Sequence, residues 1–314
     1  MMNIHKININ VNEGTGGRMK RQWSVIFFSI WMAAESMWGS LMLPILGDGC
    51  IVPAETEKAM QAWAVGMEAP NPAGELHMKT DSILGEYTTS FATSSPSRKK
   101  NIKNGAMKLD GITLLPGETF SCYDVLAPFN AANGYETAGA YQNGRIVSSV
   151  GGGVCQISST LYNAVLGAEL EIVERHAHSM TVSYVDLARD AAIAGTYKDF
   201  CFTNDSRHPV AIKAMVYGDS VTFQILGIET RNKSVRTIKF ETKIVSTVNP
   251  GDTVVTYDQS KPRGFTKMTQ RAHKGYEAEL YKVIYKNGQE VDRIKINSSI
   301  YTASPAYITV GTGG

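Results

Sequence analysis

Residues 151–164 read Gly151-Gly-Gly-Val-Cys155-Gln-Ile-Ser-Ser-Thr-Leu-Tyr-Asn-Ala164. Three consecutive glycines cost backbone entropy, so a fold keeps them where φ > 0 or a close backbone approach is needed. After them, Ile157, Leu161, Ala164, Val165 and Ala168 recur at the spacing of an amphipathic helix, with Gly167 marking its fraying end. That places Cys155 at a helix N-terminus, where the unpaired N–H groups and the helix dipole favour a thiolate. The backbone N–H groups of Gly152 and Gly153 are candidates to hold a developing oxyanion. A buried, inert cysteine at a tight loop-to-helix junction is the other reading of the same stretch.

The segment that follows, ELEIVERHAHSMTVSYV, puts Leu170, Ile172, Glu174, His176, His178, Met180, Val182 and Tyr184 on one parity. Read as a strand, it aims both histidines toward the apolar side. A helix followed by a returning strand brings His176 or His178 beside Cys155 as a general base. The pair also suits two structural histidines, or zinc ligands together with Cys155 and Asp190. No HExxH or CxxC spacing supports the zinc reading, so no metal is assigned. Further on, Asp190 is the candidate third member of a Cys/His/Asp arrangement, Arg189 suits a substrate carboxylate, and Gln156 is a second candidate substrate contact.

Outward from this block, length and composition allow about two domains with a real core. A net charge of +2 without a long basic run argues against a dedicated nucleic-acid binder. Arg18, Lys20 and Arg21 precede an apolar run from Trp23 broken by Glu35, the pattern of a signal peptide or a membrane anchor over residues 1–48. A start at Met19 would make that segment a compact signal. Residues 49–83 read as a linker, with a Pro/Gly break at PNPAGE. Residues 84–217 are dense in glycine turns and short apolar segments, with a helix expected over Asn101 to Asp110. Residues 236–314 alternate β-branched and polar residues, with Asn287-Gly288 as a hairpin signal. In oxidising surroundings Cys122 and Cys201 are the obvious disulfide pair if Cys155 stays free. The fold class is therefore α+β: a mostly antiparallel domain carrying the Cys155 helix, then a small all-β domain.

GGGVCQISSTLYNA, ERHAHS with VSYV, the RDA of residues 189–191 and the earlier LLPGETFS together resemble the VanW domain family, from about Leu84 to Met215. Gly264, Gly275, Asn287-Gly288 and the closing YITVGTGG resemble a G5 domain. The first resemblance implies peptidoglycan L,D-transpeptidase activity with Cys155 as nucleophile, one of His176 and His178 as base, no cofactor, and stem peptides of the cell wall as partners. The sequence departs from the family pattern at Ala188, where glycine commonly precedes RDA, at Asp186 and at Cys122. A non-enzymatic wall-binding or glycopeptide-resistance accessory protein is the alternative function, with the G5-like tail keeping either protein at the wall.

Overall fold

The computed structural model describes residues 82–142 and 145–314. The expected signal or anchor and nearly all of the expected linker lie outside the described residues, as does Cys50. Among the described residues no helix is long and apolar enough to cross a membrane.

The first domain is organised around one helix. β1 (Ser82–Ser90) leads to α1 (Pro96–Leu109), which starts on an Ser95 cap with Pro96 in its first turn. This is earlier than the apolar spacing alone suggests, and Ile102, Ala106 and Leu109 face inward as expected. Short strands β2 (Thr113–Leu114) and β3 (Thr119–Ser121) precede the one-turn α2 (Cys122–Leu126). The hairpin β4 (Thr137–Gln142) and β5 (Arg145–Val150) then delivers the chain to α3 (Val154–Ala168). β6 (Glu171–Glu174) leads into the candidate site loops, and β7 (Cys201–Thr203) and β8 (Val210–Tyr217) follow them, with β9 (Ser220–Gly227) closing the domain. The antiparallel sheet β1-β9-β8-β2 lies against α3, and β3-β7-β6 forms a second small sheet. Because β9 is the central partner of β1 and β8, the domain runs on past Tyr217 to Gly227.

Helix α3 is buried on nearly every side rather than along one stripe: within it only Cys155 and Gly167 are not buried. Gly167 is not its fraying end but a close-packing point. A Cβ on the facing Gly85 of β1 would lie 2.1 Å from the Ala164 carbonyl oxygen, so helix and strand backbones touch there. The helix ends at Glu169, in the left-handed region at φ 61°.

The second domain is all β. The antiparallel sheet β10-β13-β14 contains β10 (Arg236–Val248), β13 (Gly275–Lys286) and β14 (Gln289–Tyr301). Asn287 (φ 50°) and Gly288 (φ 80°) join the last two, the paired positive φ that a tight two-residue hairpin requires. The other sheet, β11-β15-β12, is built from β11 (Val254–Pro262), β12 (Thr266–Gln270) and β15 (Tyr307–Gly313), with β11 and β15 parallel. The fold is thus mostly β with few helices and a C-terminal all-β domain.

Candidate active site

The triple glycine serves three separate geometric demands. Gly151 (φ 80°) and Gly153 (φ 114°) occupy left-handed backbone, and Gly153 caps α3. A Cβ at Gly152 would stand 2.7 Å from the carbonyl oxygens of both Ala138 and Gly139 on β4. Asn101 of α1, fully buried, pins this turn: its side-chain amide donates to Gly152 O and Glu136 O, while its oxygen accepts from Glu136 N. Cys155 follows in the first turn of α3, half-buried, its thiol donating to Ile193 O at 3.4 Å. Gly152 does not fit its expected oxyanion role, because its N–H is directed to Ser149 O. Gly151 N–H is likewise directed to Glu136 O. Among the described residues no backbone partner is found for the Gly153 and Cys155 amides.

The polar residues of α3 explain how the rest of the site is assembled. Ser158 donates to Ala191 O at 2.6 Å and Ser159 accepts from Ala191 N at 2.9 Å. Asn163 donates to Arg189 O and accepts from Arg189 Nε. The helix face that sequence periodicity assigns to solvent is therefore the mount for the loop carrying Asp190. Ala188, in this loop, has φ 63°, which accounts for glycine being the expected residue there.

The expected long strand stops at Glu174. Beyond it the chain exchanges strand pairing for bonds to the mounted loop: Ala192 N donates to His176 O, and His178 N donates to Asp190 Oδ2 at 2.7 Å. The shared parity of the two histidines is thereby lost. His176 turns to Glu174, Nε2 to Oε1 2.8 Å, with 37% of its side chain exposed; the His178 side chain is 8% exposed. His178 Nδ1 meets Asp190 Oδ2 at 2.6 Å, which leaves Nε2 as the ring nitrogen open to the Cys155 thiol, to which the imidazole is electrostatically coupled. The two histidines do not converge on a common point, and among the described residues no cluster of His, Cys, Asp or Glu is placed to hold a metal.

Electrostatics separate Cys155 from the other described cysteines. Burial pushes its thiol up, but the His178 hydrogen bond and charge outweigh this and leave it below the ordinary value. Cys122 is pushed far up by burial and the Asp199 charge, and Cys201 to about 12 by burial and its hydrogen bond to Asp199. Cys122 and Cys201 are free thiols rather than the expected bridge. Burial would lower His178, yet Asp190 and Cys155 raise it to about 9. Burial would raise Asp190, yet His178, Arg175 and Tyr301 hold it at about 2. The shifts at Cys155, His178 and Asp190 thus all run toward the charged form of each group.

Two expected substrate contacts are engaged elsewhere. Gln156 is buried and donates to Thr89 Oγ1 and Ser90 O. Arg189 packs its guanidinium over the rings of Tyr87 and Phe240. The cation on Asp190 is Arg175, unnoticed in the sequence although it lies within ERHAHS, with Nη2 to Oδ1 at 2.8 Å. Tyr184 stands edge-on to His178, and Arg98 lies over the Tyr184 ring. Asp186, the other departure, is exposed.

Comparison with known proteins matches two successive regions of the chain. Residues 97–226 match the family described as VanW like protein, and residues 231–313 match the G5 domain. The chain is 37% identical over 174 residues to the uncharacterized protein YoaR of Bacillus subtilis, covering 55% of this chain and 57% of that protein. It is 32% identical over 104 residues to the vancomycin B-type resistance protein VanW of Enterococcus faecalis, covering 33% of this chain and 38% of that one. The aligned regions thus span less than two thirds of either relative. A solved IgA1 protease G5 domain is 17% identical, covering 27% of this chain and all of that one, with a TM-score of 0.18. The chain carries a VanW-like domain followed by a C-terminal G5 domain.

Proposed function

We propose that this chain is an exported cell-wall enzyme, a cysteine-dependent peptidoglycan L,D-transpeptidase that forms stem-peptide crosslinks through a thioester. The observation that carries the reading is the Cys155–His178–Asp190 array, in which Cys155 alone of the three described cysteines is held below its ordinary value. An inert cysteine at a loop-to-helix junction needs no imidazole against it and no carboxylate orienting that imidazole.

In this mechanism the Cys155 thiolate attacks a peptide carbonyl of the donor stem, and the carbonyl oxygen takes the negative charge near the Gly153 and Cys155 amides. Collapse breaks the C–N bond, and His178 Nε2 delivers its proton to the departing amine. The acyl group remains on Sγ as a thioester. The amine of a second stem then attacks, gives a proton to the now neutral His178, and releases Cys155 as thiolate. Asp190 holds the imidazole in one tautomer and stabilises its charged form without itself taking the proton. Water in place of the second amine would give carboxypeptidase activity from the same site. The energy of the bond broken is carried by the thioester to the bond formed.

The G5 domain and the resistance protein among the relatives support the cell wall as the place of action. The test is the full chain incubated with purified muropeptides, with crosslinked dimers read by mass spectrometry. Wild type yields dimers and Cys155→Ala yields none while melting cooperatively; dimers from Cys155→Ala at the wild-type rate would overturn the reading.

A further inference from the structure

We infer that the G5 domain supplies part of the reaction centre itself: the Tyr301 hydroxyl, at the end of β14, is a positioning residue that fixes the Asp190 carboxylate on His178. The inference rests on Cys155 being the nucleophile, and it gives the second domain a task beyond attachment to the wall.

The geometry defines the direction of every proton. Ala188 N donates to the Tyr301 hydroxyl oxygen at 2.7 Å, so the single hydroxyl proton is left to point at Asp190 Oδ1, 2.5 Å away. Oδ1 also accepts from Arg175 Nη2, and Oδ2 accepts from both His178 N and His178 Nδ1. With two donors on each oxygen the carboxylate cannot rotate without breaking bonds, although the terminal torsion of an aspartate is otherwise soft. Arg175 is itself steadied from β14, donating through Nη1 to Ser299 Oγ at 2.7 Å. Just beyond Tyr301, Thr302 N donates to Ser179 O at 2.7 Å, tying the strand end to the residue after His178. Asn297, also on β14, donates to Ala188 O at the other side of the loop. The charged and titratable groups facing the array are therefore Arg175, Tyr184 and Asp190 from the loops, Cys155 and Tyr162 from α3, Cys122 from α2 and Tyr301 from β14, with Arg98 beyond Tyr184.

The experiment measures the pH dependence of Cys155 alkylation by iodoacetamide in the full chain, peptide-mapped, together with the melting temperature. Tyr301→Phe keeps the buried ring and removes only the hydroxyl. A less firmly held carboxylate stabilises the imidazolium less, so the midpoint for thiolate formation moves up by about half a unit or more, about threefold slower alkylation on the acid limb. Ser299→Ala shifts it the same way by less, and carries the test alone if Tyr301→Phe does not fold. Arg236→Ala, which removes an ion pair to Glu169 at the domain junction, lowers the melting temperature without moving the midpoint. A folded Tyr301→Phe with an unchanged midpoint overturns the inference. So does a downward shift, the result if the hydroxyl only disperses carboxylate charge, or an Arg236→Ala shift as large as that of Tyr301→Phe. These results leave the wild-type thiol activated and the proposed reaction standing. A wild-type midpoint at the ordinary value of about 8.5 instead overturns the proposed reaction and the inference together.

Discussion

Two shielded carboxylates, Asp190 and Glu169, stand where the two domains meet, and they are partnered in opposite ways. Glu169 caps the end of α3 and is met by Arg236 at both oxygens, by Arg231 at 3.3 Å and by Lys282 at 3.2 Å. An acid at a helix C-terminus is unfavourable with the dipole, and three cations offset that cost. Asp190 is met by one arginine, Arg175, by a phenol, and by a histidine that is coupled in turn to the Cys155 thiol. Glu169 is surrounded by ion pairs with Arg231, Arg236 and Lys282 of the second domain, so it clips the domains together. Asp190 is coupled to two groups that exchange a proton, so its position controls a charge on sulfur. The difference lies not in burial, 12% against 1% of the side chain exposed, but in what stands behind each partner.

Substitutions at these two sites should separate sharply. Asp190→Asn removes the carboxylate that orients His178, and we expect crosslinking to fall by about 10²–10⁴-fold in kcat. Steady-state muropeptide assays check this, and a loss below tenfold would erase the contrast. The histidines sharpen it further. His178→Ala should cost a similar factor, whereas His176→Ala, whose ring bonds a half-buried glutamate two residues away, should leave kcat within about threefold. Equal losses would mean that the two side chains share the role.

Glu169→Gln should leave Cys155 alkylation unchanged and lower the melting temperature by several degrees at neutral pH. The sign of its pH dependence follows from the carboxyl being held at about 2, below the ordinary 4.5: burial opposes this, but Arg236 and Lys282 outweigh it. The stabilisation is present above the ordinary value and is lost as pH falls toward about 2. Melting curves of wild type and Glu169→Gln should therefore converge as the solution is acidified through that window. A gap that stays constant would show packing rather than charge at work.

Much of this was legible in the residues. Gly151–Gly153 announced an unusual turn, Asn287-Gly288 a hairpin, and the apolar spacing after Cys155 a helix, because each is a local rule obeyed locally. The start of α1 at Pro96, capped by Ser95, was missed, because apolar spacing alone places the helix only from Asn101. The strand expected through His176 and His178 failed because a tertiary interaction overrode alternation: the backbone there bonds to the Asp190 loop. Arg189 was a misleading candidate since its neighbour Asp190 turns inward while its own guanidinium packs on Tyr87 and Phe240. Arg175 and Tyr301 had no local signature at all. Tyr301 lies more than a hundred residues from Asp190, in a domain whose own pattern speaks only of strands.

The most direct test of the central claim is capture of the acyl-enzyme. The full chain, mixed with a donor stem peptide but no acceptor, would be quenched in acid, digested and mapped by mass spectrometry. The account predicts an acyl group on Cys155, none on Cys122 or Cys201, and its disappearance when an acceptor amine is added. Crosslinked product formed without any Cys155 adduct, or a Cys155 that stays unmodified under every donor, would contradict it.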